Sequence, residues 1–223
     1  ERIRRFQLEM GTGIWNAMEP VCSIGYYLNY PQLEPVLKLD ERPYLRYVDT
    51  VDGMEIYENT RAFGRAYLVP QLEVIPDIDA LFETMRDPEF NPSNAVVTEK
   101  GPPVVLTPPK DGVLGTANVT LRQPTRVVVE VEAMNPCVLV LSDAYYPGWN
   151  ARIDGEPAEI FPAYYAFRGL LVPSGRHTVE YSYFPLSLRI GLLTSTGALL
   201  AGAYSAFRVI QGTRRRNRGA RAG

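Results

Sequence analysis

The chain has one histidine and two cysteines, and both shortages exclude chemistry. Cys22 and Cys137 form no C-x-x-C pair, so a zinc ribbon and a dithiol redox motif are ruled out. A disulfide in an extracytoplasmic body and a pair of buried free thiols both remain open. His177 has no second histidine with which to build a metal site or proton relay, and a hydrogen-bonded structural histidine is expected. The sequence has no G-x-S-x-G, no H-E-x-x-H, no P-loop and no dinucleotide fingerprint. Acids gather near an Asp-Gly pair (Asp143, Asp154, Glu156, Glu159), but carboxylates at hairpin tips are normally solvated rather than set against each other as acid and base. No catalytic residue, metal ligand or cofactor is therefore expected in this chain. A signal-peptide pattern near Glu1 is also missing.

The C-terminal end lacks acids. Arg208, Arg214, Arg215, Arg216, Arg218 and Arg221 have none among them, which leaves 17 basic against 25 acidic groups over residues 1–207. The overall charge of −2 thus conceals an acidic body and a basic tail. Between them, "IGLLTSTGALLAGAYSAF" (190–207) carries no charge, and a helix of roughly 18 residues is about 27 Å long, enough to cross a bilayer core. Arg189 and Arg208 bracket the run, and the arginine cluster follows on one side only, so the positive-inside rule predicts a cytoplasmic tail and an extracytoplasmic body. A buried soluble helix with a nucleic-acid-binding tail is the competing reading. A soluble helix of that length should show a polar face, and this one has only Thr, Ser and Gly. The tail is better explained as a topology determinant touching anionic lipid, with no nucleic-acid partner. Small residues at Gly197, Ala201 and Ser205, and at Ala198, Gly202 and Ala206, allow another helix close approach. Residues 1–189 contain no apolar run of similar length, so the chain reads as the C-terminal piece of a longer polytopic protein whose upstream transmembrane bundle is a partner.

With 223 residues, 46% hydrophobic and 22% charged, the body is globular in composition. Four segments are expected: a mixed α/β segment over 1–104, a β-sandwich over 105–186, a transmembrane helix over 187–210 and a basic cytoplasmic tail over 211–223. The fold class is mainly β with some α, an antiparallel sandwich or jelly-roll-like domain followed by one membrane helix. In the first segment "RFQLEM" alternates as a strand would. "YLRYVDT" and "MEIYENT" flank Asp52-Gly53 as a hairpin, and "GRAYLVPQLEVI" is strand-like. "PDIDALFETMRDPEF" predicts a helix capped by Asp77, with Ile78, Leu81, Phe82 and Met85 on one face. "GPPVVLTPPKDG" (101–112), with four prolines, reads as a linker or an edge crossing. Six or seven short strands are expected from Gly115 to Phe184.

Asp154-Gly155 is a strong two-residue hairpin signal. It sets Ile153 against Glu156, Arg152 against Pro157, Ala151 against Ala158, Asn150 against Glu159 and Trp149 against Ile160. Alternation then puts Trp149 on the apolar side with Ala151, Ala158 and Ile160, as a core residue. In "HTVEYSYF", His177, Val179, Tyr181 and Tyr183 share a face. Of the pairs Tyr145-Tyr146 and Tyr164-Tyr165, one ring each should look outward, and these are the candidate surface rings. They suit packing at a membrane boundary or contact with a glycan. Arg168 can pair with Asp143, either fixing that end of the domain or gripping an anionic group.

"YYPGWNARIDGEPAEIFPAYYAFRGLLVPSGRHTVEYSYFP", followed by an apolar span, resembles the C-terminal extracytoplasmic region of the YfhO-type bacterial membrane proteins. "GMEIYENTRAFGRAYLV" is similar to another segment of that family, with Glu58-Asn59 and Arg65-Ala66 in place and Gly64 where the family commonly has proline. The resemblance covers most of residues 45–210. It implies a multi-span protein of the bacterial plasma membrane, related to glycosyltransferases that use polyprenyl-phosphate sugars to decorate cell-envelope polymers. It also implies that the catalytic acid lies near N-terminal spans outside this chain, so no catalytic residue is carried over. Tyr146, Pro147, Gly148, Trp149, Asp154 and Gly155 are its structural signature. The implied role is an accessory domain, and the alternative is a non-catalytic structural or glycan-binding module. The implied partners are the bilayer, the upstream bundle and a lipid-linked sugar or envelope glycan.

Overall fold

A computed structural model describes residues 2–9, 18–29, 42–109 and 112–219. The chain falls into two compact units, one of residues 1–146 and 150–182, the other of residues 147–149 and 183–223.

The first unit opens with helix α1 (Arg2–Glu9). The alternation of Arg5 to Glu9 suggested a strand, and the structure corrects this; Met10 lies outside the described residues. Among the described side chains of that stretch only Phe6 is buried, edge-on to Phe167 at 5.7 Å, while Leu8 is exposed. One apolar contact in a short segment suits a helix lying on a core as well as it suits a strand, and the ion pairs Arg2–Glu99, Arg5–Asp79 and Glu9–Arg86 hold this one in place. Strands β1 (Tyr26–Asn29), β2 (Leu45–Val51) and β3 (Met54–Asn59) form an antiparallel sheet of order β1-β3-β2. The β2–β3 turn is the expected Asp52-Gly53, both with positive φ. Next come β4 (Ala66–Val69) and β5 (Gln71–Val74), separated by Pro70 and committed to different sheets. Helix α2 (Ile78–Arg86) is capped as expected: Asp77 accepts the Ala80 N–H at 2.8 Å, and Leu81, Phe82 and Met85 are buried. Strand β6 (Ala95–Thr98) pairs parallel with β5.

Eight strands follow, rather than six or seven: β7 (Gly115–Gln123), β8 (Arg126–Ala133), β9 (Cys137–Ala144), β10 (Trp149–Ile153), β11 (Glu156–Ala158), β12 (Ile160–Ala163), β13 (Phe167–Val172) and β14 (Gly175–Tyr183). With β4 they make a five-stranded sheet, β11-β10-β14-β8-β7, and a four-stranded one, β12-β13-β9-β4. The extra strand arises at Glu159, where the chain leaves one sheet for the other.

In the five-stranded sheet one face is apolar and buried: Val127, Val129, Val131, Ala151, Val179 and Tyr181. The opposite face is charged, with Arg126 gripping Glu180 through two bonds and Arg176 reaching Glu132, the ladder of a solvated surface. The four-stranded sheet is buried on both faces. Val138, Val140, Phe161 and Ala163 share a core with Phe6, with Leu81, Phe82 and Met85 of α2 and with Val96 and Val97 of β6. Cys137, Leu139, Leu141, Leu170 and Val172 are buried on the other side. Burial on both faces accounts for the near-continuous apolar run "CVLVL" in β9. The fold is therefore mainly β and antiparallel, with a few helices.

The second unit contains helix α3 (Leu186–Gly219), 34 residues long. Its Leu186–Ser205 part is long and apolar enough to cross a membrane, with mean hydropathy 1.3, and none of it is buried. Leu193 and Leu199 are each 74% exposed.

Candidate membrane-associated region

Asp154 and Gly155 have φ of 51° and 88°, the left-handed pair that a tight hairpin turn needs. The expected register holds for Ile153 with Glu156, Arg152 with Pro157 and Ala151 with Ala158. It does not extend to Ile160, which pairs with Leu170 in the other sheet. Trp149, expected in the core, is only half-buried, and its ring lies 5.3 Å from that of Tyr183. The turn carboxylate is used internally: Asp154 accepts the Thr178 N–H at 2.8 Å and faces His177 Nδ1 at 2.7 Å. The hydrogen bond to Asp154 raises the imidazole above its ordinary range, and the same bond with that of Thr178 lowers the Asp154 carboxyl. His177 is thus a hydrogen-bonded structural residue.

Tyr164 and Tyr165 correct the outward-ring expectation. Both are buried, with φ of 47° and 67°. Alternation applies only to extended backbone, and here two successive left-handed residues make a turn that tucks both rings inward. Tyr164 donates its hydroxyl to Pro92 O, and its amide bonds Val97 O at 2.9 Å. Burial raises the Tyr164 phenol well above its ordinary range. The Tyr165 ring lies between Phe82 and the Arg2 guanidinium, which is 4.3 Å from its centroid and 5.5 Å from that of Tyr145. Tyr145 is half-buried and Tyr146 is 61% exposed, so the outward ring of that pair is Tyr146.

Arg168 is buried, on the same face of the four-stranded sheet as Leu139, Leu141 and Leu170. Its Nε donates to Ala144 O at 3.0 Å, and its Nη1 lies 3.7 Å from Asp143 Oδ2. Arg65 of the loop before β4 binds that carboxylate more closely, Nη2 to Oδ1 at 2.6 Å. Desolvation depresses the Arg168 guanidinium, opposed by the Asp143 charge. Tyr181, from the five-stranded sheet, feels both Arg168 and Asp143, and burial raises its phenol. Arg65 as the principal partner of Asp143 was missed from sequence. Positions 65 and 143 are far apart in the chain and no local pattern joins them.

Cys22 and Cys137 are free thiols, and burial pushes them up to about 12 and about 11. Among the described residues no group of His, Cys, Asp or Glu is placed to hold a metal ion.

The stretch that contains the Asp154 turn, the buried tyrosine turn, Arg168 and the first turns of α3 is matched as a unit: residues 115–195 fit the family described as Bacterial membrane protein YfhO. Residues 115–195 are thus similar to a YfhO-type region. The match begins at β7 and ends within α3, so it joins the last eight strands to the apolar helix. No match is found among curated proteins or among solved structures. The family so described is one of bacterial membrane proteins, and the exposed apolar stretch of α3 accords with association with a lipid bilayer.

Proposed function

We propose that the chain is the extracytoplasmic β-rich module and last membrane span of a YfhO-type protein of the bacterial plasma membrane, an accessory domain to a membrane glycosyltransferase that uses polyprenyl-phosphate sugars. The observation that carries it is the single family match running from β7 into an apolar helix with no buried residue in its span. In this reading residues 105–186 form the sandwich, with β4 of the mixed 1–104 segment completing one of its sheets, 187–210 span the bilayer and 211–223 form the cytoplasmic tail. The influence of Arg168 and Asp143 on Tyr181 supports two sheets meeting face to face. The partners are the bilayer, the transmembrane bundle of the parent protein and a lipid-linked sugar or envelope glycan.

A second reading, a non-catalytic structural or glycan-binding module, is favoured by one observation. Arg168, the candidate anion grip, is directed at Asp143 and Ala144 O inside the fold. The first test is topological. In intact spheroplasts, externally added protease should cleave loops of the β region and leave a C-terminal epitope tag intact; cleavage of the tag from outside defeats the proposed orientation. The second separates the two readings. The full-length parent is assayed for sugar transfer from lipid-linked donors, and an inactive parent leaves the structural module standing.

A further inference from the structure

The element that leads into the apolar helix has a construction of its own. Pro147, Gly148 and Trp149 belong to the same compact unit as α3. Gly148 O accepts the Phe184 N–H at 2.9 Å. Gly148 has φ of 104°, and a Cβ there would stand 3.0 Å from the Tyr183 ring and 3.1 Å from Pro185. Only glycine permits this backbone and this approach without strain, so the loop is fastened to the two residues before the helix. The result sets the Trp149 indole against the Tyr183 ring at an interplanar angle of 44°, and Phe184, the next residue in the chain, is 46% exposed.

Aromatic side chains recur at the far end of the apolar stretch, where Tyr204 and Phe207 are 61% and 56% exposed. From Leu186, where the helix begins, to Tyr204 is about 27 Å of helix and to Phe207 about 32 Å, which brackets the thickness of a bilayer hydrocarbon core. Tryptophan and tyrosine combine an apolar body with a polar N–H or O–H, so they settle at the headgroup boundary, where each part meets a matching environment. An aromatic group at each end of an exposed apolar helix, separated by one hydrocarbon thickness, has the spacing of two such boundaries.

We propose that Trp149, Tyr183 and Phe184 form an interfacial anchor that seats the start of α3 in the lipid headgroup layer, with Tyr204 and Phe207 marking the opposite boundary. The Pro-Gly-Trp element is then a device for holding an indole at the base of the span, and its occupant is lipid. This rests on the reading of α3 as a membrane span.

The test reconstitutes the full chain in vesicles of phosphatidylethanolamine and phosphatidylglycerol. There are two tryptophans, so Trp15→Phe leaves Trp149 as the sole indole. Its emission is measured with a spin label on the lipid headgroup, with one deep in the acyl chain and with aqueous iodide. The expected result is quenching at least twofold stronger by the headgroup label than by the deep one, and iodide quenching at least threefold weaker than for free tryptophan amide. A companion variant, Trp15→Phe/Trp149→Phe/Leu199→Trp, reports on the span and should be quenched most by the deep label. If Leu199→Trp responds so while Trp149 is open to iodide and indifferent to both lipid labels, the anchor is overturned and the span stands. If neither responds to lipid labels, the span reading falls and takes the anchor with it. Protection of Trp149 from iodide only after soluble envelope glycan is added overturns the anchor in favour of a sugar site. Should Trp15→Phe misfold by circular dichroism, the same quenching is read as the difference between the native chain and Trp149→Phe.

Discussion

His177 and Asp154 form a pair whose protonation can be followed one residue at a time, since the chain has a single histidine. The imidazole is raised on folding, so its contribution to stability is complete below its unfolded value, near 6.5, and is lost as pH rises through the folded one. The carboxyl is lowered, so its contribution is complete above about 3.9 and is lost as pH falls through the folded value. The stability difference between the native chain and His177→Gln should therefore be largest between about pH 4 and 6.5 and shrink on both sides. Denaturation at a series of pH values checks this, and the imidazole resonances in an NMR titration should report a midpoint above the ordinary one. Tyr164 offers a second residue-scale test. Its hydroxyl donates to Pro92 O from a fully buried position. Tyr164→Phe strands that carbonyl and should cost about 1–2 kcal/mol, read by denaturant midpoints with an unchanged slope. The positive φ of Tyr164 and Tyr165 was not legible in the sequence, because nothing in "PAYYAF" marks a left-handed turn as an Asp-Gly does. The strain of two non-glycine left-handed residues is tolerated because both rings are buried and the Tyr164 amide is bonded to β6.

Elements with local signatures were read correctly. The two Asp-Gly hairpins, the alternation of β14 and the capped helix α2 each depend on residues within a few positions of one another, so their physics is written in short windows. For α2 the cap is measurable. Asp77→Ala removes the acceptor for the Ala80 N–H and should lower stability by about 1 kcal/mol, and Asp77→Asn should restore most of it, by the same denaturant measurement. Elements without such signatures were misread. Among the described side chains of helix α1 only Phe6 is apolar and buried, too few to distinguish a period of 3.6 from one of 2. Strand β11 ends at Ala158 and β12 begins at Ile160 in another sheet, a change of partner that the continuous hairpin pattern concealed. The pairing of β4 with β9, which carries Arg65 to Asp143, joins segments about 70 residues apart and follows from no local pattern.

For the whole molecule the decisive feature is an apolar helix with no burial in its span. Twenty residues of exposed leucine-rich helix would be a large unsatisfied surface in water, whereas in lipid the same surface is solvated. Leu199→Arg should raise the cost of insertion by about 3 kcal/mol, and the fraction of chain resistant to alkaline carbonate extraction should fall accordingly. Unchanged membrane retention would show that α3 is held by protein rather than by lipid.

The sequence by itself determined the mainly antiparallel β character, the apolar span, the hairpin at Asp154-Gly155 and the capped helix, because turn chemistry, side-chain period and hydrocarbon length are properties of contiguous residues. The tertiary structure alone decided which sheet each strand joins, that Tyr164 and Tyr165 turn inward, and that Arg65 joins Arg168 on Asp143 as its closer partner. These outcomes depend on burial shared between distant segments, whose free energy exists only once the chain has brought them together.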